Sequence, residues 1–320
     1  MADIKRGRVA FVFPGQGSQK VGMGKEAFDG SDIARATFAA ADAALAGDGD
    51  ALSKLCFEGP EDALKLTKNA QPAILTTSIA LFRAFGETPD VVAGHSLGEY
   101  SANVAVGTLS LEDAVRLVRT RGELMQAAVP VGQGAMAAIL KMERAPLEAL
   151  CAEVAASTGQ VVECVNYNSP GQIVIAGTVA AVEAASEKAK AAGGRAMPLP
   201  VSAPFHCQLM KPAEEGLRPF LAAIAFREAA GAIYTNVDAS PVTSGDAARE
   251  ALAKQVSRAV RWDESIVKMV ADGVTLFVEV GTGNALTGMI KRTTEGALSV
   301  SVQKPADFDA ARAAIASARG

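Results

Sequence analysis

Two hydrophobic patterns alternate along the chain: short continuous apolar runs, and stripes at helical spacing. Residues 9–13 (Val-Ala-Phe-Val-Phe), 91–93 (Val-Val-Ala) and 275–280 are runs of the first kind and predict strands, the first and last buried on both faces, as in a parallel sheet. Residues 25–85 read as helical, with Ala-rich segments at 33–45 and 70–85. Ser110-Leu111-Glu112-Asp113 has the form of a capping box and opens a helix to about Ala128, whose stripe is Ala114, Leu117, Val118, Leu124, Met125 and Ala128. From residue 134 the pattern becomes strand 134–140, helix 146–156, strands 161–166 and 172–176 parted by the turn Asn168-Ser169-Pro170-Gly171, helix 178–192 and strand 195–199. The order βαββαβ predicts a ferredoxin-like subdomain over 132–200, inserted into a larger α/β core made of 1–131 and 201–320, with a cleft between the two. A further helix is expected over 246–258, with Gln255 in its last turns.

The most informative stretch is Gly94-His95-Ser96-Leu97-Gly98, between the strand 91–93 and a helix beginning after Leu97. A Gly-x-Ser-x-Gly turn in that context is a nucleophile elbow: the serine is held in a strained conformation, and the flanking glycines let strand and helix approach. Without the flanking strand and helix the match would be ordinary in a chain with 30 glycines. Residues 14–19, Pro-Gly-Gln-Gly-Ser-Gln, follow the first strand, but Lys20 stands where a dinucleotide fingerprint needs its third glycine. The loop 281–284 lacks that glycine too, so neither supports NAD or FAD. A loop at a strand's carboxyl end is still where α/β folds build sites, which makes Gln16 a candidate polar contact.

Arg121 lies within the apolar stripe of its helix, whereas Arg116, Arg119 and Glu123 lie off it and are expected to be solvated. A guanidinium cannot shed its charge, so Arg121 needs an anion: either a structural ion pair or a substrate carboxylate gripped by two parallel hydrogen bonds. There are two histidines. His95 belongs to the elbow, with its ring expected to point away from Ser96, which leaves His206, in the return segment 200–207, as the imidazole base unless it is structural. Lys291 and Arg292 are either a solvated pair or a contact for an acidic partner.

Composition narrows the class. A 49% hydrophobic content supports a substantial core, and the net charge of −4 offers no general field for nucleic acid. The four cysteines, Cys56, Cys151, Cys164 and Cys207, include no Cys-x-x-Cys pair, against a zinc site or disulfide framework and in favour of a reducing compartment. No apolar stretch approaches the roughly 18 residues of a membrane span. The run after Lys5, Arg6 and Arg8 is too short for a signal peptide, so a cytoplasmic location is expected.

Taken together, Phe11-Val12-Phe13-Pro14-Gly15-Gln16-Gly17-Ser18-Gln19, Gly94-His95-Ser96-Leu97-Gly98-Glu99-Tyr100, Arg121-Gly122, residues 166–172 (Asn-Tyr-Asn-Ser-Pro-Gly-Gln), Pro204-Phe205-His206 and Leu209-Met210-Lys211-Pro212 resemble malonyl-CoA:acyl carrier protein transacylases. Glu279-Val280-Gly281 and Leu286-Thr287-Gly288 extend the match; Thr282 departs from it, where the family usually carries proline. The resemblance implies an α/β-hydrolase-like core, Ser96 as nucleophile, His206 as base, and the main-chain carbonyl of Gln255 as the third member. It further implies an oxyanion hole from the N–H groups of Gln16 and Leu97, and Arg121 as carboxylate clamp, with Phe205 narrowing the space at the malonyl α-carbon. Malonyl-CoA and acyl carrier protein are the implied partners, with no metal or bound cofactor, no nucleic acid and no membrane, and a monomer is expected. Two other readings stay open: a serine hydrolase that uses water, although no HGGG-like loop is present, and a catalytically silent module with an arginine anion pocket.

Overall fold

The computed structural model describes residues 7–201 and 203–320; Lys5 and Arg6, named above, lie outside them, as does Ser202 of the return segment. The strands in chain order are β1 (Arg8–Phe13), β2 (Val91–Gly94), β3 (Gly134–Leu140), β4 (Val162–Ser169), β5 (Gln172–Thr178), β6 (Arg195–Pro198), β7 (Ala232–Tyr234), β8 (Pro241–Val242), β9 (Val274–Val280) and β10 (Leu298–Val302). They form two sheets. The larger has the order β10-β9-β1-β2-β7-β8 and is parallel except for β8, which runs antiparallel to β7. The apolar run of β1 occupies its centre. Its alternate residues explain why: Val9, Phe11 and Phe13 enter one core, where Phe11 lies 6.0 Å from the Phe82 ring, while Ala10 and Val12 enter a second core with Trp262 and Ile266.

Register then gathers the loops. Phe13 pairs with Gly94 and Val12 with Glu279, so β1, β2 and β9 end level and the loops that follow them share one rim. The helix Leu111–Ala127 reaches that rim by packing closely on the helix Thr67–Phe85; a Cβ at Gly122 would lie 2.7 Å from Lys68 Cα. Ser110 caps it as expected, its hydroxyl accepting from the Asp113 N–H at 3.1 Å. Arg119 is not solvated: its side chain is 11% exposed, paired with Asp48 at 2.9 Å and donating to Asn69. An off-stripe position still meets neighbours where a helix lies between others.

The second sheet, β4-β5-β3-β6, is antiparallel and is crossed by the helices Arg144–Thr158 and Val179–Ala191, which realises the βαββαβ order. Ala137, Ile139 and Ile175 pack with those helices, whereas Met136, Val174 and Ala176 face the main core. Main-chain bonds also tie β4 to the loop before the helix Trp262–Ala271: Val260 N–H donates to Val165 O at 2.8 Å and Tyr167 N–H to Val260 O at 2.9 Å. β4 runs on to Ser169 rather than stopping at 166, because Ser169 still pairs with Gln172 and only Pro170-Gly171 turns. The helix expected over 246–258 is Gly245–Lys254, with Gln255 as its C-cap.

Candidate active site

Ser96 occupies the turn between β2 and the helix Gly98–Ala105 at φ 52°, a left-handed conformation that a non-glycine residue adopts only when its surroundings impose it, at about 1–3 kcal/mol. The surroundings are specific. A Cβ on Gly94 would lie 1.9 Å from Gly98 C and one on Gly98 would lie 2.0 Å from Phe13 O, so only glycines let strand, helix and first loop meet. Asn236, just beyond β7, binds both sides of the turn: its Oδ1 accepts from Ser96 N–H at 2.7 Å and its Nδ2 donates to Gly94 O at 2.6 Å.

His206 approaches from the return segment, its Nε2 2.7 Å from Ser96 Oγ. Its Nδ1 lies 2.8 Å from Gln255 O. A carbonyl can only accept, so Nδ1 carries the proton and Nε2 is left with a lone pair facing the serine hydroxyl. Burial, and then the nearby charge of Arg121, push the imidazole down to about 3. It is therefore neutral at rest. The carbonyl it meets caps a helix, where the partial negative charge favours an imidazolium formed in passing.

Arg121 is 1% exposed and reaches the same point from the helix Leu111–Ala127. Its Nη2 donates to Ser96 Oγ at 3.2 Å and to Gln255 Oε1 at 2.9 Å, and its Nη1 donates to Gln71 Oε1 at 2.7 Å. Its Nε has no acceptor among the described residues, and the guanidinium carbon stands 5.5 Å from the Tyr100 ring centre. No carboxylate among the described residues pairs with it directly, so the ion-pair reading does not hold. Neutral amide oxygens orient the fork and leave its charge uncompensated at short range.

The remaining candidates divide. Gln16 sits in the loop after β1, its side chain donating to Thr67 Oγ1 at 3.2 Å. A Cβ on the preceding Gly15 would be 2.5 Å from His95 O, so this loop lies against the elbow. The main-chain N–H groups of Gln16 and Leu97 donate to no protein acceptor among the described residues. The His95 ring bonds Asn168 Oδ1 at 2.8 Å, as its orientation away from Ser96 requires. Phe205 is buried next to His206. Lys291 and Arg292 are both exposed, and Arg292 donates to Ser169 at 3.2 Å and Gln172 at 2.8 Å. No group of three or more His, Cys, Asp or Glu side chains among the described residues could hold a metal, and no helix there is long and apolar enough to cross a membrane.

The acyl transferase domain family matches residues 10–308. The malonyl CoA-acyl carrier protein transacylase of Bacillus subtilis (strain 168) is 48% identical over 308 residues, covering 95% of this chain and 96% of the relative. That of Escherichia coli (strain K12) is also 48% identical, over 94% of this chain and 98% of its own. The chain belongs to the malonyl CoA-acyl carrier protein transacylase family. Solved structures agree: the acyl-carrier-protein S-malonyltransferase from Burkholderia pseudomallei 1710b superimposes with a TM-score of 0.91 at 46% identity, over 95% of this chain and 99% of that one. A malonyl-transacylase in complex with its type II PKS acyl-carrier protein matches with a TM-score of 0.91 at 43% identity, over 95% and 98%.

Membership explains the motifs but not the whole site. Gln71, Glu99, Asn236 and the side chain of Gln255 were not singled out by sequence. Gln71 and Glu99 are buried beside other polar residues of their helices, Thr76, Thr77 and Ser78 in one and Ser101 and Asn103 in the other, so neither position stands out as Arg121 does. Asn236 follows a three-residue strand that leaves no periodicity to read.

Proposed function

We propose that the protein transfers the malonyl group of malonyl-CoA to the phosphopantetheine thiol of acyl carrier protein through a malonyl-Ser96 ester, as the names of its relatives imply, and so supplies fatty acid chain elongation. The observation that carries the reading is the convergence of Ser96 Oγ, His206 Nε2 and Arg121 Nη2 within hydrogen-bond reach. His206 takes the Ser96 proton as Oγ attacks the thioester carbon, and the N–H groups of Gln16 and Leu97 receive the oxyanion. The C–S bond breaks, and the proton passes from His206 to the CoA thiolate. The carrier thiol then gives its proton to His206, attacks the ester and returns Ser96 to its hydroxyl. The Gln255 carbonyl keeps the imidazole in the tautomer that both halves need. No metal or bound cofactor takes part.

Arg121 supplies selection. A malonyl group carries its carboxylate one methylene from the reacting carbon, so its clamp must stand beside the nucleophile, as this guanidinium does. The bound carboxylate also offsets the charge that depresses His206, so the base strengthens when the right substrate arrives. Acetyl-CoA does neither. For Phe205, next to His206 in the chain, we propose that it crowds a branch at the α-carbon and so disfavours methylmalonyl groups.

We propose that the molecule is an α/β-hydrolase-like core over 1–131 and 201–320 with a ferredoxin-like insert over 132–200. Separate packing of Ala137, Ile139 and Ile175 with the insert's own helices supports the division. We propose a cytoplasmic setting on the cysteines, since Cys56, Cys151, Cys164 and Cys207 all stand as free thiols. We assign carrier docking to the Lys291–Arg292 corner, with Lys291 as the residue free to meet an acidic partner.

Transfer and hydrolysis are separated by following radiolabelled malonyl groups with and without the holo carrier. Label should move to the carrier, with little free malonate. Release of free malonate as fast as CoA, whether or not the carrier is present, would make the protein a thioesterase.

A further inference from the structure

Glu99 lies three residues after the nucleophile, 0% exposed, and the transfer chemistry gives it no task. Burying a carboxylate is costly unless its oxygens are well used. Only one of them is. Oε2 accepts from Asn236 N–H at 2.9 Å and from Gln255 Nε2 at 2.8 Å, while Oε1 has no partner among the described residues. Both donors belong to residues that hold the site: Asn236 fixes Ser96 and Gly94, and Gln255 meets Arg121.

A glutamine amide can sit either way round, and its neighbours decide. Gln255 Nε2 faces acceptors only, Glu99 Oε2, Ser96 O at 2.9 Å and, more distantly, Asn236 Oδ1 at 3.5 Å, which leaves Oε1 to receive Arg121 Nη2. Turned over, the amide would set its NH2 against the guanidinium and its oxygen against the carboxylate. We infer that Glu99 is a positioning residue for acyl selection: its Oε2 fixes the Gln255 amide, and through it the Arg121 fork, where the acyl carboxylate must bind. This rests on the malonyl-transfer reading. What matters is the acceptor oxygen rather than the charge, because a proton on the unpartnered Oε1 leaves Oε2 accepting.

The test compares kcat/KM for malonyl-CoA and acetyl-CoA in wild type, Glu99→Gln, Glu99→Leu and Gln255→Ala, the last of which keeps the carbonyl for His206. Glu99→Leu and Gln255→Ala should each lower the malonyl-to-acetyl ratio about tenfold or more, the scale of one hydrogen bond to a buried charge. Glu99→Gln should stay within about threefold of wild type. The double variant Glu99→Leu/Gln255→Ala should lose no more selectivity than Gln255→Ala alone, since both act on one link. An unchanged ratio in Gln255→Ala overturns the inference even if Glu99→Leu fails to fold, as does a Glu99→Gln variant with a selectivity loss as large as that of Gln255→Ala. A wild-type protein that takes no malonyl group overturns the transfer reading itself, and this inference with it.

Discussion

At the scale of single residues the site is organised by unequal partners. Arg121 is oriented by the amide oxygens of Gln71 and Gln255 and touches Ser96, so it is held in place without being neutralised. Arg121→Ala should lower kcat/KM for malonyl-CoA by about 100- to 1,000-fold, the scale of a lost buried charge pair, and leave acetyl-CoA much less affected. Equal losses would reduce Arg121 to a structural role. His206 gives a second prediction. With its imidazole pushed down to about 3, below the ordinary 6.5, malonyl loading should stay flat from about pH 5 to about pH 8. A tenfold fall per unit below pH 6.5 would mean an imidazole that titrates freely. Glu99 gives a third, in stability. Burial raises its carboxyl from 4.5 to about 7, so the folded state holds that proton more tightly and stability drains away as pH rises through this window. Glu99→Gln should therefore gain on wild type in thermal midpoint between about pH 5 and about pH 8. A constant gap between the two melting curves would speak against it.

At the scale of elements, strand and turn chemistry were the most legible. The apolar runs at 9–13 and 91–93 became adjacent central strands, and the Gly-x-Ser-x-Gly between strand and helix became the turn that lifts Ser96 to φ 52°. The tightness of that turn predicts that Gly94→Ala, whose methyl would lie 1.9 Å from Gly98 C, lowers stability by more than about 3 kcal/mol in chemical denaturation. Near-wild-type stability would mean that strand and helix can separate. Helix ends were less legible. Gln255 was placed inside a helix that stops at Lys254, because the decisive interactions of its carbonyl and side chain reach His206, Arg121 and Glu99, none of them near it in the chain. Asn236, two residues beyond a strand of three, left no pattern to find.

At the scale of the whole molecule, long-range pairing assembles the site: Ser96 and His206 are 110 residues apart, and Gln255 lies 49 beyond His206. The antiparallel sheet is tied in at the same place through β4, by His95 to Asn168 and by Val260 to Val165 and Tyr167. Single-sequence reading reached His206 by elimination among two histidines, whereas the Gln255 carbonyl came only from the family resemblance. Neighbouring exposed cations also differ in role: Arg292 braces Ser169 and Gln172, whereas Lys291 makes no such bond among the described residues. Lys291→Glu should raise the KM for carrier protein and leave CoA-dependent loading unchanged; an unaltered KM would remove this corner from docking. Everything nevertheless depends on whether Ser96 takes the acyl group. Mass spectrometry of the intact chain after brief mixing with malonyl-CoA should show one added malonyl unit, mapped to the peptide of Ser96, lost in Ser96→Ala and discharged by holo carrier protein. No adduct on the wild-type chain, or one that persists in Ser96→Ala, would contradict the account.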